Sequence, residues 1–399
     1  MNGSEHISSQ IVLKFSFSMF YAQKNNQYNK QYIEENKKIQ VSLLNYINDC
    51  NTDFDDIETL FQTNTINEDI NKTKDFLLLL SNASNNHYRN SAFISKIEKI
   101  LVYLAKDIKQ YFSNLEIYNI FKNNKLILLL LVQHQILTID ETIFYFFKNS
   151  STSKYQYCYF FYPEIKNFLS KEEEKQIELE LLKICSDIFD DFYYKRSKCE
   201  NEKYICSLIR QDFVEKFIEY VNRINLPVNS IINSSIFETH PFLIKHEATL
   251  IEYAAFFGSI QIFRYLFNRD VELTSSLWLY AIHGQSPEII HFLEENHILP
   301  PDEKYESCLI ESIKCHQIDI SNYIIDNLID PNLNESYNQH YFNEEIIKNV
   351  LRYHNFQYFP DDFTDNSAFY LLWKYNYEIL VNIYLKENEG KIKSIIILR

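Results

Sequence analysis

Imidazoles and thiols gather in one stretch of this sequence: His283, His291, His297, Cys308, Cys315 and His316. Such groups bind zinc or act as nucleophile and base, so their spacing is the first thing to weigh. It fits no zinc pattern, and C-x-x-C is absent. His291 falls at a variable outer-helix position and His316 at the loop position that follows the first helix of each repeat, where structural roles are expected. Carboxylates cluster at Asp187, Asp190 and Asp191, and again at Glu172, Glu173 and Glu174. Acid–base chemistry needs converging partners, and no histidine lies three or four residues from either cluster. A solvated helix face and a negatively charged first turn account for both. Asp53-Phe-Asp-Asp56 lacks the glycine and distal glutamate of a calcium loop. No flanking glycine motif shapes a nucleophile elbow around a serine or cysteine. The chain holds four glycines, and neither G-x-G-x-x-G nor G-x-x-x-x-G-K occurs. The expectation is therefore a chain that is not an enzyme, with no catalytic, cofactor-binding or metal residue.

The elements that carry these residues are short helices. Residues 249–266 read as an N-capping threonine (Thr249), a helix with Ala254 and Ala255, a stop at Gly258, and a second amphipathic helix with Ile262, Phe263 and Leu266. Alanine pairs let a neighbouring helix approach closely. The pattern recurs at Ala281, Ile289 and Leu293, and again at Ser312, Ile320 and Ile324, with Ser276 and Ser307 in the place of Thr249. A fainter early copy aligns Asp212, Phe213 and Phe217 with Asp319, Ile320 and Ile324, and a later one aligns Leu372, Glu378, Ile379 and Ile383 with Ile313, Asp319, Ile320 and Ile324. A period of about 30 residues with two helices per period is the mark of a stacked helical array.

Thr249-Leu-Ile-Glu-Tyr-Ala-Ala-Phe-Phe-Gly258 resembles the ankyrin-repeat opening T-P-L-H-x-A-A-x-x-G, with departures at Leu250, Glu252 and Asp270. In the second copy glycine shifts to Gly284. The wording from Ser276 to His291 is similar to divergent ankyrin-containing proteins of parasitic protists, whose shared region is a domain of unknown function. The resemblance implies an all-α fold, a helical-hairpin (ankyrin-like) solenoid, and a non-enzymatic protein–protein interaction role with no known reaction. In such stacks the residues beside the alanines line the concave face: Tyr253 and Phe256, Tyr280 and His283, Glu311 and Lys314. That face is the expected partner-binding surface. For Phe256, cover by neighbouring helices is the equal alternative, and Trp278 is expected in the core.

The first half reads as helical. One apolar face runs through Ile97, Ile100, Leu101, Leu104, Ile108 and Phe112. Capping boxes are expected at Thr138–Glu141 and Ser170–Glu173, the second opening a stripe of Ile177, Leu181, Ile184, Ile188 and Phe192. The expected organisation is a helical region at 1–198, open to being a degenerate continuation of the stack, then repeats at 199–390, clearest at 247–327. A tail or the start of a cap follows at 391–399. The alternative is a helical N-terminal domain with an unrecognised enzymatic or ligand-binding activity, targeted by the repeats. A net charge of −15 argues against nucleic acid as a partner. The greasiest run, at 126–132, is far too short to span a membrane. Seven scattered cysteines suit reduced thiols in a cytoplasmic protein.

Overall fold

The computed structural model describes residues 26–149, 156–269, 271–329, 338–359 and 366–387. Among them helix dominates, and the one ladder is two residues long, Ile231–Ile232 antiparallel to Ala248–Thr249. The expected tail or start of a cap at 391–399 lies outside the described residues. Two compact units divide the chain, 1–80 with 331–399 and 81–330.

In the first unit, helix Asn26–Asn48 packs on helix Phe54–Thr63 and on the tight turn Phe356–Tyr358. Gln40 fixes that second contact: its amide nitrogen donates to Asn355 Oδ1 at 2.9 Å, and its oxygen accepts from the Phe356 amide at 2.6 Å. Asn338–Arg352, Asn366–Lys374 and Glu378–Glu387 follow as successive packed helices.

The second unit opens with short helices. The face read at 97–112 is buried as expected, but the chain breaks at Leu104 into Phe93–Tyr103 and Ala105–Tyr111. Lys125–Gln133 is buried along almost its whole length, and no described helix is long and apolar enough to cross a membrane. The Ser170–Glu173 box forms as read. The other does not: Asp140, not Thr138, accepts from the Ile143 amide at 2.9 Å. The stripe after Ser170 is split between helices Lys171–Leu181 and Asp190–Lys198, which leaves Ile184 exposed.

Four hairpins then pack side by side. Their first helices are Tyr204–Arg210, Leu250–Phe256, Leu277–His283 and Glu306–Lys314. Their second helices are Val214–Arg223, Ile260–Phe267, Pro287–Glu295 and Ile318–Tyr323, the last running into a wider turn at Ile324–Leu328. Each first helix packs on the next. The hairpin corners are left-handed residues, Asp212, Gly258, Gln285 and His316, with φ of 50°, 63°, 48° and 56°. The last three keep the register read from Ala254, Ala281 and Ser312. The fainter early copy does not, because its corner is Asp212, which matches His316 and not Asp319.

Two sequence details resolve differently. Gly284 is not the turn residue, since its φ is −73°. It is needed for closeness: a Cβ there would lie 2.1 Å from the carbonyl oxygen of Ala255. Of the three expected hydroxyl caps only Thr249 caps its helix, in a box with Glu252. Ser276 donates instead to Glu252 Oε1 at 2.5 Å, and Ser307 sits inside its helix, bonded to Asp302.

Glu252, a departure from the ankyrin pattern, thus ties two hairpins together. Its Oε2 accepts from the Thr249 amide at 2.8 Å and hydroxyl at 2.9 Å, and its Oε1 accepts from Thr274 and Ser276. Glu252→Gln removes the charge and turns one acceptor into a donor facing donors. The expected loss is about 2 kcal/mol of stability, read from urea denaturation.

Candidate functional site

Because the hairpins repeat in register, a residue near one corner lies beside its counterpart in the next. His283 closes helix Leu277–His283, while Lys314 and Cys315 close the following first helix. The translation brings His283 Nε2 to 2.7 Å from Glu311 Oε1 and Cys315 Sγ to 3.4 Å from His283 Nδ1. Lys314 Nζ donates to the same Glu311 oxygen at 2.7 Å. These are two of the histidine and cysteine positions picked out by sequence. The others are not gathered: His291 is exposed and paired with Glu294, and Cys308 is buried within its own helix. His316 serves as a corner.

Two further histidines join from segments the sequence reading passed over. His87 Nδ1 lies 2.7 Å from the Cys315 carbonyl oxygen, and its Nε2 lies 3.4 Å from the Gln285 amide nitrogen. His240 packs edge-on to the rings of His283 and Phe256. Its Nδ1 accepts from the Phe242 amide and so caps the short helix Pro241–Lys245. Neither was visible as a site, because no local pattern ties 87 or 240 to the repeats.

Burial decides the protonation states. It pushes His87 down to about 4, against the pull of the Cys315 carbonyl, and it holds His240 and His283 below the usual imidazole range. For Glu311 burial acts upward, yet the hydrogen bond from His283 and the Lys314 ammonium bring it down to about 2. Burial raises the Cys315 thiol well above its ordinary value. At neutral pH the cluster is three neutral imidazoles, a thiol, and a carboxylate already matched by an ammonium.

The ligand atoms of His283, Glu311 and Cys315 lie within 4.8 Å of one another, so a metal ion deserves a test. The set does not fit one. Sγ is 3.4 and 3.6 Å from the two ring nitrogens, nearly equidistant, which puts it over the imidazole face. A nitrogen lone pair points along the ring plane, so both groups cannot aim at one ion. Lys314 holds the oxygen that a cation would need, and the thiol is protonated.

Beside the cluster lies a cavity of about 20 Å³ lined by His87, Arg89, Glu238, His240, Phe256 and His283, among others. A second, of about 30 Å³, lies under the connection through Ile232 and Ala248. Each has room for a water or two and none for an organic substrate. Glu238 lines both; its Oε1 accepts from the amides of Thr239 and His240, and burial raises its pKa.

The expected partner surface is not open. Tyr253, Phe256, Tyr280 and His283 are 2%, 5%, 3% and 2% exposed, and Glu311 and Lys314 are half-buried. The reason is the connection between the first two hairpins, which folds back over the first helices. Phe242 packs on Tyr280, Phe256 and His283, and Tyr280 Oη donates to the Glu247 carbonyl. Tyr253 Oη accepts from Arg210 at 2.9 Å. The connection is held from below by Lys125, which donates to the carbonyls of Ile236 and Glu238, and by Arg89, which donates to Thr239 Oγ1 at 2.7 Å.

Trp278 is fully buried, as read, and donates to the Ile298 carbonyl at 2.6 Å. The acidic groups are local: Glu173 caps its helix and pairs with Lys148, and Asp191 pairs with Lys195. All seven cysteines are unpaired, and only Cys50 is exposed. Comparison with protein-family models, with curated proteins and with solved structures finds no match to this chain.

Proposed function

We propose that this chain is a non-enzymatic protein–protein interaction scaffold built on divergent ankyrin-like repeats, and that it works in the cytoplasm. The observation that supports this reading most is the row of four hairpins with left-handed corners at Asp212, Gly258, Gln285 and His316. Such a row buries each unit only against its neighbours, so the outward side of the second helices is free to evolve toward a partner. Seven unpaired thiols suit a reducing compartment.

The face first expected to grip a partner carries the chain's own connection. A partner therefore either displaces that connection or docks on the outward side. Crosslinking in cells, followed by mass spectrometry of the purified full chain, tests this. The expected result is that partner crosslinks fall in 204–328. Crosslinks confined to other segments, or no co-purifying protein above background, would overturn the reading.

A further inference from the structure

We propose that His240 is an acid-released latch that holds the connection at 225–248 over the first helices, and that His87, which ties its own segment to the hairpin corners at Gln285 and Cys315, loosens with it. Releasing it would expose Phe256, Tyr280 and His283. This is a property of the fold and stands whether or not that face binds a partner.

The case begins with hydrogen bonds. In the closed form each of the two imidazoles accepts at one ring nitrogen. His240 Nδ1 takes the Phe242 amide proton, which caps the helix carrying Phe242. His87 donates through Nδ1 to the Cys315 carbonyl, so its Nε2 is left to accept from the Gln285 amide. An imidazolium has two N–H donors and no acceptor. Protonation therefore breaks one hydrogen bond at each site. At His240 the lost bond is the cap of the segment that covers the face.

The surrounding charges do not welcome the added protons. His240 faces Arg89, Lys314 and His283, and His87 faces His283. Of the nearby acids, Glu311 is already shared between Lys314 and His283. Glu238 is raised by burial, and Glu200 pairs with Arg210. His246, beside Phe242, meets Lys314 and Glu311 as well. Tyr88 completes the cavity wall. The phenol of Tyr280 and the thiol of Cys315 are raised by burial and stay neutral through the range.

The direction follows. Both imidazoles titrate lower when closed than when open, so the closed form is favoured above about pH 6.5 and loses ground as pH falls toward the buried values. Between those limits each histidine shifts the balance toward the open form by up to about tenfold per pH unit. Two together give about a hundredfold or more between pH 7.5 and pH 5.

Hydrogen exchange of the full chain, corrected for the intrinsic rate at each pH, reads this directly. Exchange at 236–246, 250–256 and 277–283 should rise about a hundredfold at pH 5 relative to pH 7.5. Helix Phe93–Tyr103 should keep its protection. The double variant His87→Gln with His240→Asn keeps an amide donor for Cys315 and acceptors for Gln285 and Phe242, and cannot be protonated. In it the rise should shrink by tenfold or more, what remains belonging to His283, whose imidazole burial also holds down. A flat wild-type profile down to pH 4.5, equal loss of protection in Phe93–Tyr103, or an unchanged rise in the double variant would each overturn the latch. Should the double variant fail to fold, His240→Asn alone must still lower the logarithm of the rise by about half.

Discussion

Gly284→Ala is expected to cost about 3 kcal/mol or more, which is a large part of the total stability of an ordinary domain. The added methyl would sit 2.1 Å from the Ala255 carbonyl oxygen, 3.0 Å from the Gly258 nitrogen and 3.3 Å from the Ala255 carbonyl carbon. All three neighbours are backbone, so no side chain can swing aside. Relief requires helices Leu250–Phe256 and Leu277–His283 to move apart. That would loosen Ala254 and Ala281, both fully buried, and the ring contacts of Phe256 with Tyr280 and His283. Gly258→Ala should cost less, about 1–2 kcal/mol. Its φ of +63° strains any side chain, but its Cβ would meet the nearest atom, the Gly284 oxygen, at 3.0 Å. Urea titration followed by circular dichroism ranks the two. Gly258→Ala costing as much as Gly284→Ala, or Gly284→Ala within about 1 kcal/mol of wild type, would show that the close approach is not what glycine provides there.

The contrast between these two glycines shows what a sequence carries. Small residues at Ala254 and Ala281 announce that helices pack closely, and a glycine after the first of them announces a left-handed stop. Both are local requirements on backbone and volume, so they are legible in one chain. Gly284 looked like a displaced copy of the stop because closeness and positive φ select the same residue. The two cannot be told apart without knowing which helix lies opposite. Gln285, which takes the left-handed corner, has no side chain that advertises it.

The histidine cluster was illegible for a related reason. Zinc and catalytic motifs are recognised by short spacings within one element. Here His283 meets Glu311 and Cys315 because hairpins are translated by one repeat, and His87 and His240 arrive from segments with no repeat at all. The burial of Tyr253, Phe256 and Tyr280 had the same origin. An aromatic beside a packing alanine points to one side of the row, and only tertiary structure tells whether solvent or a connecting segment lies there. Pro227 and Pro241 are consistent with an irregular connection. Nothing local indicated that it folds back.

The second large effect is in the other unit, and it depends on pH. Tyr32 Oη donates to Asp75 Oδ2 at 2.7 Å, and both side chains are buried. Burial raises the Asp75 carboxyl to about 7; the Tyr32 bond and Lys74 pull it back, and Glu378 and Asp69 push it further up. The unfolded carboxyl titrates near 3.9, so the folded unit binds the proton more tightly. Stability is then fully present below about pH 4, declines through the interval up to the folded value of about 7, and levels off above it. About 4 kcal/mol is lost across that interval at 1.36 kcal/mol per unit. Asp75→Asn keeps an oxygen for Tyr32 and cannot ionise. It should therefore match wild type at pH 5 to about 1 kcal/mol and exceed it at pH 8 by about 2–4 kcal/mol. Because the chain has two units, the readout is hydrogen exchange in helices Asn26–Asn48 and Asn338–Arg352, not a single melting curve. Protection in those helices that is flat or rising from pH 5 to pH 8 in wild type would mean that Asp75 is ionised at little cost, and that an unrecognised group supplies its counter-charge.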